Sequence, residues 1–203
     1  MKNLRKTVTA FSVLPGMVFG IGLSAQNKPP ARAMLQPMPV KEAEALGTKL
    51  AHGLPPGAVI DGYLTQSFRL SGGGRPTLNI LPVVYFPKHT REVPFQCGVF
   101  FVTPDGKDTY LPTVNRELRN VGSCESVVAV AAMPDPSPRP RLIFLFEVLG
   151  GRGGDDFIVP NTLVWNQQSG RYSVDETTSA FLVSKHPKTI LEIRRLLASS
   201  HPQ

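Results

Sequence analysis

Two cysteines, Cys97 and Cys124, have chemistry that can be predicted from their type and spacing. They are the two cysteines of the chain, and each lies near the start of a predicted strand. Because neighbouring strands can bring two Cα atoms within bridging distance, we predict a Cys97–Cys124 disulfide. The alternative is two buried free thiols that pack as small hydrophobic side chains. A redox-active pair would lie much closer together in sequence.

The other residues that could support catalysis or bind a metal are dispersed along the chain. Histidines that share a helix face or a strand lie a few residues apart, and no two histidines do so here. They are His52, His89, His186 and His201. From this spacing we predict no metal site and no cofactor. A catalytic site would require Glu125, Asp155 and His89 to converge from separate segments, so an enzyme is not the favoured class.

The glycine-rich segment 150–156 lacks the features of a ligand-binding loop. A phosphate-binding loop opens a helix, whereas the residues after Asp156 continue as a predicted strand. Asp155 and Asp156 are adjacent carboxylates, but the alternating ligand pattern of a calcium loop is absent. We therefore expect a connection between strands here.

Aromatic and charged residues near the predicted turns are candidates for contacting a protein partner. Trp165 and Tyr172 flank a predicted hairpin and should pair across it, which is a packing role. Their functional alternative is an aromatic pair that binds a partner. The predicted partner-binding residues are Arg75, Arg152, Asp155, Asp156, Trp165 and Tyr172.

The N-terminal residues have the layout of an export signal. Basic residues precede an apolar stretch over 8–23, Ser24 and Ala25 follow it, and the first acidic residue is Glu42. We predict a signal peptide over 1–25 that is cleaved after Ala25, and a periplasmic or secreted mature protein. An oxidising compartment agrees with the predicted disulfide. The alternatives are an uncleaved anchor and an organelle transit peptide.

Charge and composition exclude other classes of partner. The formal net charge of +7 includes the basic residues of the signal, and the remaining basic residues are scattered along the chain. A nucleic-acid interface would gather them on one face, so we predict no nucleic-acid binding. Glycine and proline interrupt the apolar stretch over 8–23, so we expect membrane contact only through the signal segment.

The elements expected to position these residues are mostly strands. The segment 41–52 has the spacing of a short helix, and 188–198 that of a C-terminal amphipathic helix. The turn over 103–106 predicts a hairpin between 95–102 and 107–111, because Pro104 presets φ and Gly106 accepts a left-handed exit. A second hairpin is predicted over 157–174.

The remaining strand predictions follow from apolar pattern and proline. The segment 142–149 is almost wholly apolar, as expected for a strand that is covered on both faces at the centre of a sheet. Pro82 favours an edge position for the strand over 78–86. The segments 29–39 and 134–140 are rich in proline, which predicts an extended unpaired tether and an exposed loop, respectively.

Together these patterns predict an α+β domain, mostly antiparallel β-sheet, with one short N-terminal helix and one C-terminal amphipathic helix. Its predicted organisation is a signal peptide over 1–25, a proline-rich tether over 26–40, a single domain over 41–199 and a frayed tail over 200–203.

The predicted function is an exported, non-catalytic protein-binding module whose glycine-rich and proline-rich loops contact another envelope protein. An inhibitor or immunity-type protein would have these properties. The first alternative is an envelope hydrolase with a site assembled from dispersed His, Asp and Glu residues. The second is a small-ligand carrier, which requires an apolar cavity inside the sheet.

Overall fold

The computed structural model of the chain describes residues 33–50, 53–54, 59–60, 66–73, 75–86, 95–114, 122–137, 139–150 and 155–200. The predicted signal peptide lies outside these residues, as do Arg152 and His89. The strands are β1 (Met34–Pro37), β2 (Val59–Ile60), β3 (Phe68–Ser71), β4 (Leu78–Phe86), β5 (Gln96–Val102), β6 (Asp108–Val114), β7 (Gly122–Met133), β8 (Arg141–Gly150), β9 (Phe157–Asn166) and β10 (Arg171–Val174). The helices are α1 (Val40–Leu50), α2 (Glu176–Lys185) and α3 (Ile190–Ser200).

The described strands form two antiparallel sheets. Sheet A has the order β1-β3-β4-β5-β6, with β2 paired to one end of β4. Sheet B has the order β10-β9-β8-β7. The predicted α+β class with mostly antiparallel strands is confirmed, and the strands are divided between two sheets.

The inner faces of the two sheets enclose the main apolar core. Phe101 of sheet A packs there with Phe144, Phe146 and Tyr172 of sheet B, and these side chains are buried. Phe101 stacks on Tyr172, with 4.9 Å between ring centroids. Each such side chain contributes roughly 1.5–3 kcal/mol when it is fully buried, so this interior is the main source of stability.

The outer face of each sheet is covered by helix. Ala43 and Leu50 of α1 pack on sheet A, and Leu182 of α2 and Ile193 of α3 pack on sheet B. The molecule is therefore a four-layer sandwich in the order helix, sheet, sheet, helices. Strand β8 lies between β7 and β9 and is buried on both faces, as predicted from its apolar sequence.

Both predicted hairpins are confirmed. Strands β5 and β6 pair around a turn in which Gly106 N–H donates to Thr103 C=O and Gly106 has a φ of 81°. Strands β9 and β10 pair around residues 167–170, where Gly170 has a φ of 63°. The predicted terminal helices are present as α1 and α3.

Two predictions made from proline are wrong. Strand β1 lies inside the segment that was expected to be unpaired, and it is joined to β3 along the edge of sheet A. Leu35 and Met38 anchor this segment in the cores, and Pro37 is tolerated at the end of an edge strand. Pro82 lies in an internal strand, at a point between the β4 residues that pair with β3 and those that pair with β2.

Helix α2 was not predicted from the sequence. Its residues include several with polar or β-branched side chains, and only Ser179 and Leu182 are buried, so no apolar stripe marks it. The side chain of Asp175 caps its first turn by accepting a hydrogen bond from the Thr178 N–H at 3.0 Å. None of the three described helices has the length and apolar character needed to span a membrane.

Candidate functional site

Trp165 and Tyr172 lie directly opposite each other in the β9–β10 hairpin. Their rings pack edge to face, with 5.3 Å between centroids. The predicted cross-hairpin pair is therefore present. Tyr172 is buried between this ring and Phe101, while Trp165 is half-buried. The pair therefore extends from the main core, at Tyr172, toward the surface, at Trp165.

Arg139, from the loop between β7 and β8, packs on the other side of Trp165. Its guanidinium carbon lies 4.9 Å from the centroid of the Trp165 ring, in a cation–π arrangement. One of its terminal nitrogens donates to the Pro76 carbonyl at 3.0 Å, and the Tyr172 hydroxyl donates to the Pro140 carbonyl at 2.9 Å. Arg139 therefore links its own loop, between β7 and β8, to the β3–β4 connection and to the β9–β10 hairpin.

We call Arg75, Arg139, Trp165 and Tyr172 the arginine–tryptophan site. Arg75 is exposed, and it directly precedes Pro76, whose carbonyl accepts the hydrogen bond from Arg139. The charge of Arg75 affects the pKa of Arg139. Arg139 itself is only 7% exposed. The loop over 134–140 was predicted to be exposed, and the structure buries its last part because Arg139 and Pro140 fold back onto sheet B.

The electrostatics of this site are set by burial. Burial lowers the pKa of the Arg139 guanidinium; the nearby Tyr172 opposes this shift, and the charge of Arg75 adds to it. An arginine nevertheless remains protonated at neutral pH. Burial raises the pKa of the Tyr172 hydroxyl, which therefore stays a neutral hydrogen-bond donor. The site presents positive charge and an aromatic face.

Two carboxylates at this end of sheet B form ion pairs with Arg141 and not with Arg139 or Arg75. Asp135 lies 3.3 Å from Nε of Arg141, and Asp175 lies 3.7 Å from a terminal nitrogen of the same guanidinium. Among the described residues, no carboxylate lies within salt-bridge distance of Arg75 or Arg139. Nε of Arg139 is buried and has no hydrogen-bond partner within this part of the chain.

The predicted partner-binding residues do not form one cluster. Arg75, Trp165 and Tyr172 come together around Arg139, whereas Asp155 and Asp156 are exposed just before β9, far along that strand from Trp165. Arg152 lies outside the described residues. Arg139 was not among the predicted partner-binding residues, and its loop was predicted to be exposed. The one sequence feature that could have indicated its burial is its position just before Pro140 and the covered strand β8.

The disulfide lies at the other end of sheet B. Cys97 of β5 and Cys124 of β7 are bonded, with 5.9 Å between their Cα atoms, and both are fully buried. The Cys124 N–H donates to the Phe95 carbonyl at 3.0 Å, and the Phe95 N–H donates to Oγ of Ser123 at 2.9 Å. The predicted disulfide is confirmed, and it links sheet A to sheet B.

The residues considered for catalysis are only partly within the described part of the chain. Glu125, near the start of β7, and Asp155, just before β9, lie at the same end of sheet B, while His89 is outside the described residues. No group of three His, Cys, Asp or Glu side chains that could hold a metal occurs in the described ranges. Between the two sheets, the described residues form a cluster of packed apolar side chains.

No protein-family model matches the chain, and comparison with curated proteins and with solved structures finds no similar protein.

Proposed function

We propose that the chain is an exported, non-catalytic protein-binding module that acts in the periplasm or outside the cell. The observation that supports this most directly is the arginine–tryptophan site. Trp, Tyr and Arg are the residue types most enriched where interfaces gain their binding energy. Here Arg75 is exposed and Trp165 is half-buried, while Tyr172 and Arg139 are buried beside them.

The chemistry of the site suits recognition. Its groups are two guanidiniums, an indole and a phenol whose hydroxyl already donates to the Pro140 carbonyl. Arginine is too weak an acid to transfer protons at neutral pH, and the raised pKa of Tyr172 prevents it from acting as a base. A binding role uses the same groups without any change in their protonation.

The buried disulfide supports the exported location. Disulfides persist in oxidising compartments and are rare in the reducing cytosol. The Cys97–Cys124 bond is fully buried between the two sheets, where it has a structural position. The layout of the first 25 residues supplies the export route that such a bond requires.

An inhibitor or immunity-type role is the form of binding that this architecture suits best. Tight inhibitors lose little conformational freedom on binding because their contact surface is held in place beforehand. Arg139 is held by Trp165 and by the Pro76 carbonyl, and Tyr172 is held by Phe101 and the Pro140 carbonyl. The arginine–tryptophan site is thus fixed by contacts from several segments.

The test is affinity capture from an envelope extract of the source cells, with the exported chain as bait. We expect a stoichiometric protein partner that is lost with Arg75→Glu and retained with Arg194→Glu, a matched charge reversal on an exposed residue of α3. Recovery of the chain alone, together with turnover of envelope substrates by the purified chain, would contradict the proposal. An intact Met1 in the cytosolic fraction would contradict the exported location.

A further inference from the structure

The arginine–tryptophan site holds more positive charge than its neighbours neutralise by direct pairing. Asp135 and Asp175, two carboxylates at this end of sheet B, both pair with Arg141. Arg139 is more than nine-tenths buried, and no carboxylate of the described residues reaches it. A buried charge without an ionic partner is costly, and proteins usually pair it.

Contacts with two neighbouring residues fix the position of the Arg139 guanidinium. The Trp165 ring covers one face of its guanidinium, and the Pro76 carbonyl fixes one terminal nitrogen. Arg75 directly precedes Pro76, whose carbonyl Arg139 contacts, and its side chain is exposed. A guanidinium presents its N–H groups as a planar fork that matches the two oxygens of a carboxylate. A ligand group that contacts Arg75 would therefore also be attracted by the fixed charge behind it.

We infer that the arginine–tryptophan site binds a carboxylate, so that the partner contributes an acidic side chain to the interface. This inference rests on the protein-binding function proposed above, and it defines the partner as a protein with an acidic segment. Arg75 makes the direct ion pair, Arg139 strengthens it from below, and Trp165 packs against the aliphatic part of the acidic side chain.

A carboxylate fits this site better than a phosphate does. Phosphate sites commonly use several backbone N–H groups, as at helix N-termini and glycine-rich loops. Among the described residues, Pro76 and Pro140 adjoin the two arginines; they have no N–H, and both of their carbonyls already accept hydrogen bonds. Gly72 and Gly73 precede Arg75 and are the nearby backbone donors that would favour phosphate, so phosphate is the competing ligand in the test. The exposed guanidinium of Arg75 matches the two oxygens of a carboxylate.

Trp165 gives a direct readout because it is the one tryptophan of the chain. The experiment titrates the exported chain with an N-acetylated, C-amidated tetraglutamate peptide and follows tryptophan fluorescence. The matched tetraglutamine peptide and inorganic phosphate are titrated in parallel. We expect a saturable change with tetraglutamate, weakened by added salt, and no saturable change with tetraglutamine.

Variants separate the direct contact from general charge. Arg75→Gln should weaken tetraglutamate binding roughly fivefold, which is about 1 kcal/mol. Arg171→Gln also removes one positive charge, from the hairpin that carries Trp165 and Tyr172, but Arg171 adjoins Tyr172 and so points to the opposite face of the strand. It should leave binding within about twofold, since an exposed charge beyond contact distance is largely screened. Arg139→Lys keeps the fixed charge behind Arg75, so it should weaken binding less than Arg75→Gln does while the chain stays folded.

Three results would overturn the inference. They are equal responses to the two peptides, a response that Arg75→Gln leaves unchanged, and tighter binding of phosphate than of tetraglutamate. If the capture experiment yields an Arg75-dependent partner while tetraglutamate fails to bind, the carboxylate inference is wrong and the proposed function stands. If tetraglutamate binds as expected but no partner is captured, the proposed function is wrong.

Discussion

Replacement of Gly98 by alanine should destabilise the fold, because Gly98 makes room for the ring of Tyr110. Gly98 lies in β5 and Tyr110 in the adjacent strand β6. A Cβ atom on Gly98 would lie 2.4 Å from both Cε2 and Oη of Tyr110 and 2.6 Å from Cζ. Carbon atoms in contact are about 3.5–4.0 Å apart, so the ring would have to withdraw by roughly 1 Å.

The Tyr110 ring has little space for this movement. It packs against Phe100 and Tyr85, with 5.0 Å and 5.9 Å between ring centroids, and both of these side chains are fully buried beneath α1. Overpacking of this kind costs about 1–3 kcal/mol, so we expect Gly98→Ala to lower the free energy of unfolding by about 2 kcal/mol.

A double-mutant cycle measured by urea unfolding tests this explanation. Without the ring, in a Tyr110→Ala background, Gly98→Ala should be neutral or stabilise the fold by up to about 1 kcal/mol, since alanine loses less backbone entropy than glycine does. Gly98 does not have a positive φ, so alanine fits its backbone conformation. Tyr110→Phe is the matched control, because it keeps the ring and should keep most of the penalty. An equal cost of Gly98→Ala with and without the ring would contradict a clash with Tyr110.

Three further predictions concern stability and ionisation. Replacing Cys97 and Cys124 by alanine should lower the free energy of unfolding by about 3–4 kcal/mol, because the disulfide closes a loop across a sequence separation of 27 residues; urea unfolding measures the loss, and a reductant should have no further effect on the variant. Asp175→Ala removes the cap of α2 and a partner of Arg141, so it should cost about 1–2 kcal/mol by the same assay, and a cost near zero would contradict the capping role. The hydrogen bond from the Thr103 hydroxyl, together with Lys107, lowers the pKa of Asp105 from 3.8 to about 2. Any stability gained from this turn is therefore complete above about pH 4 and lost as the pH falls through about 2; an NMR titration should show the low pKa and its return toward 3.8 in Thr103→Val.

The parts of the fold that could be predicted from sequence are those specified by local chemistry. The turn over 103–106 has Pro104 and Gly106 at positions where few other residues fit, so it identified a hairpin before any long-range contact was considered. Strand β8 was recognisable because a strand covered on both faces needs apolar residues at successive positions. The disulfide followed from two cysteines near strand starts. These signals lie within one segment or one pair of residues.

The parts that could not be predicted depend on long-range contacts. Helix α2 is short and polar, and it forms where Asp175 caps it and Leu182 reaches the core over sheet B. Strand β1 pairs because Leu35 and Met38 find apolar pockets, which outweighs the local effect of proline. The division of the strands into two sheets has no local signal at all, since each strand alternates in the same way in one sheet or in two.

The candidate site was predicted only in part for the same reason. Trp165 and Tyr172 were paired from the hairpin alone, but Arg139 comes from a proline-rich loop that is distant in sequence. Its contact with the Pro76 carbonyl depends on the packing of sheet A against sheet B. Sequence identified which residue types could bind a partner, and the sandwich determined which of them are neighbours.

The four-layer architecture also limits where a partner could bind. The inner faces of both sheets are used in the main core, and their outer faces are covered by α1 on one side and by α2 and α3 on the other. The packed sheet faces therefore stabilise the fold, and a partner would contact the connections at the ends of the strands. At one end the buried disulfide joins the two sheets; at the other, Arg139 joins them through Trp165 and Pro76. Because the second junction is held by a cation and an aromatic ring, it can fix the two sheets together and still present charge to a partner.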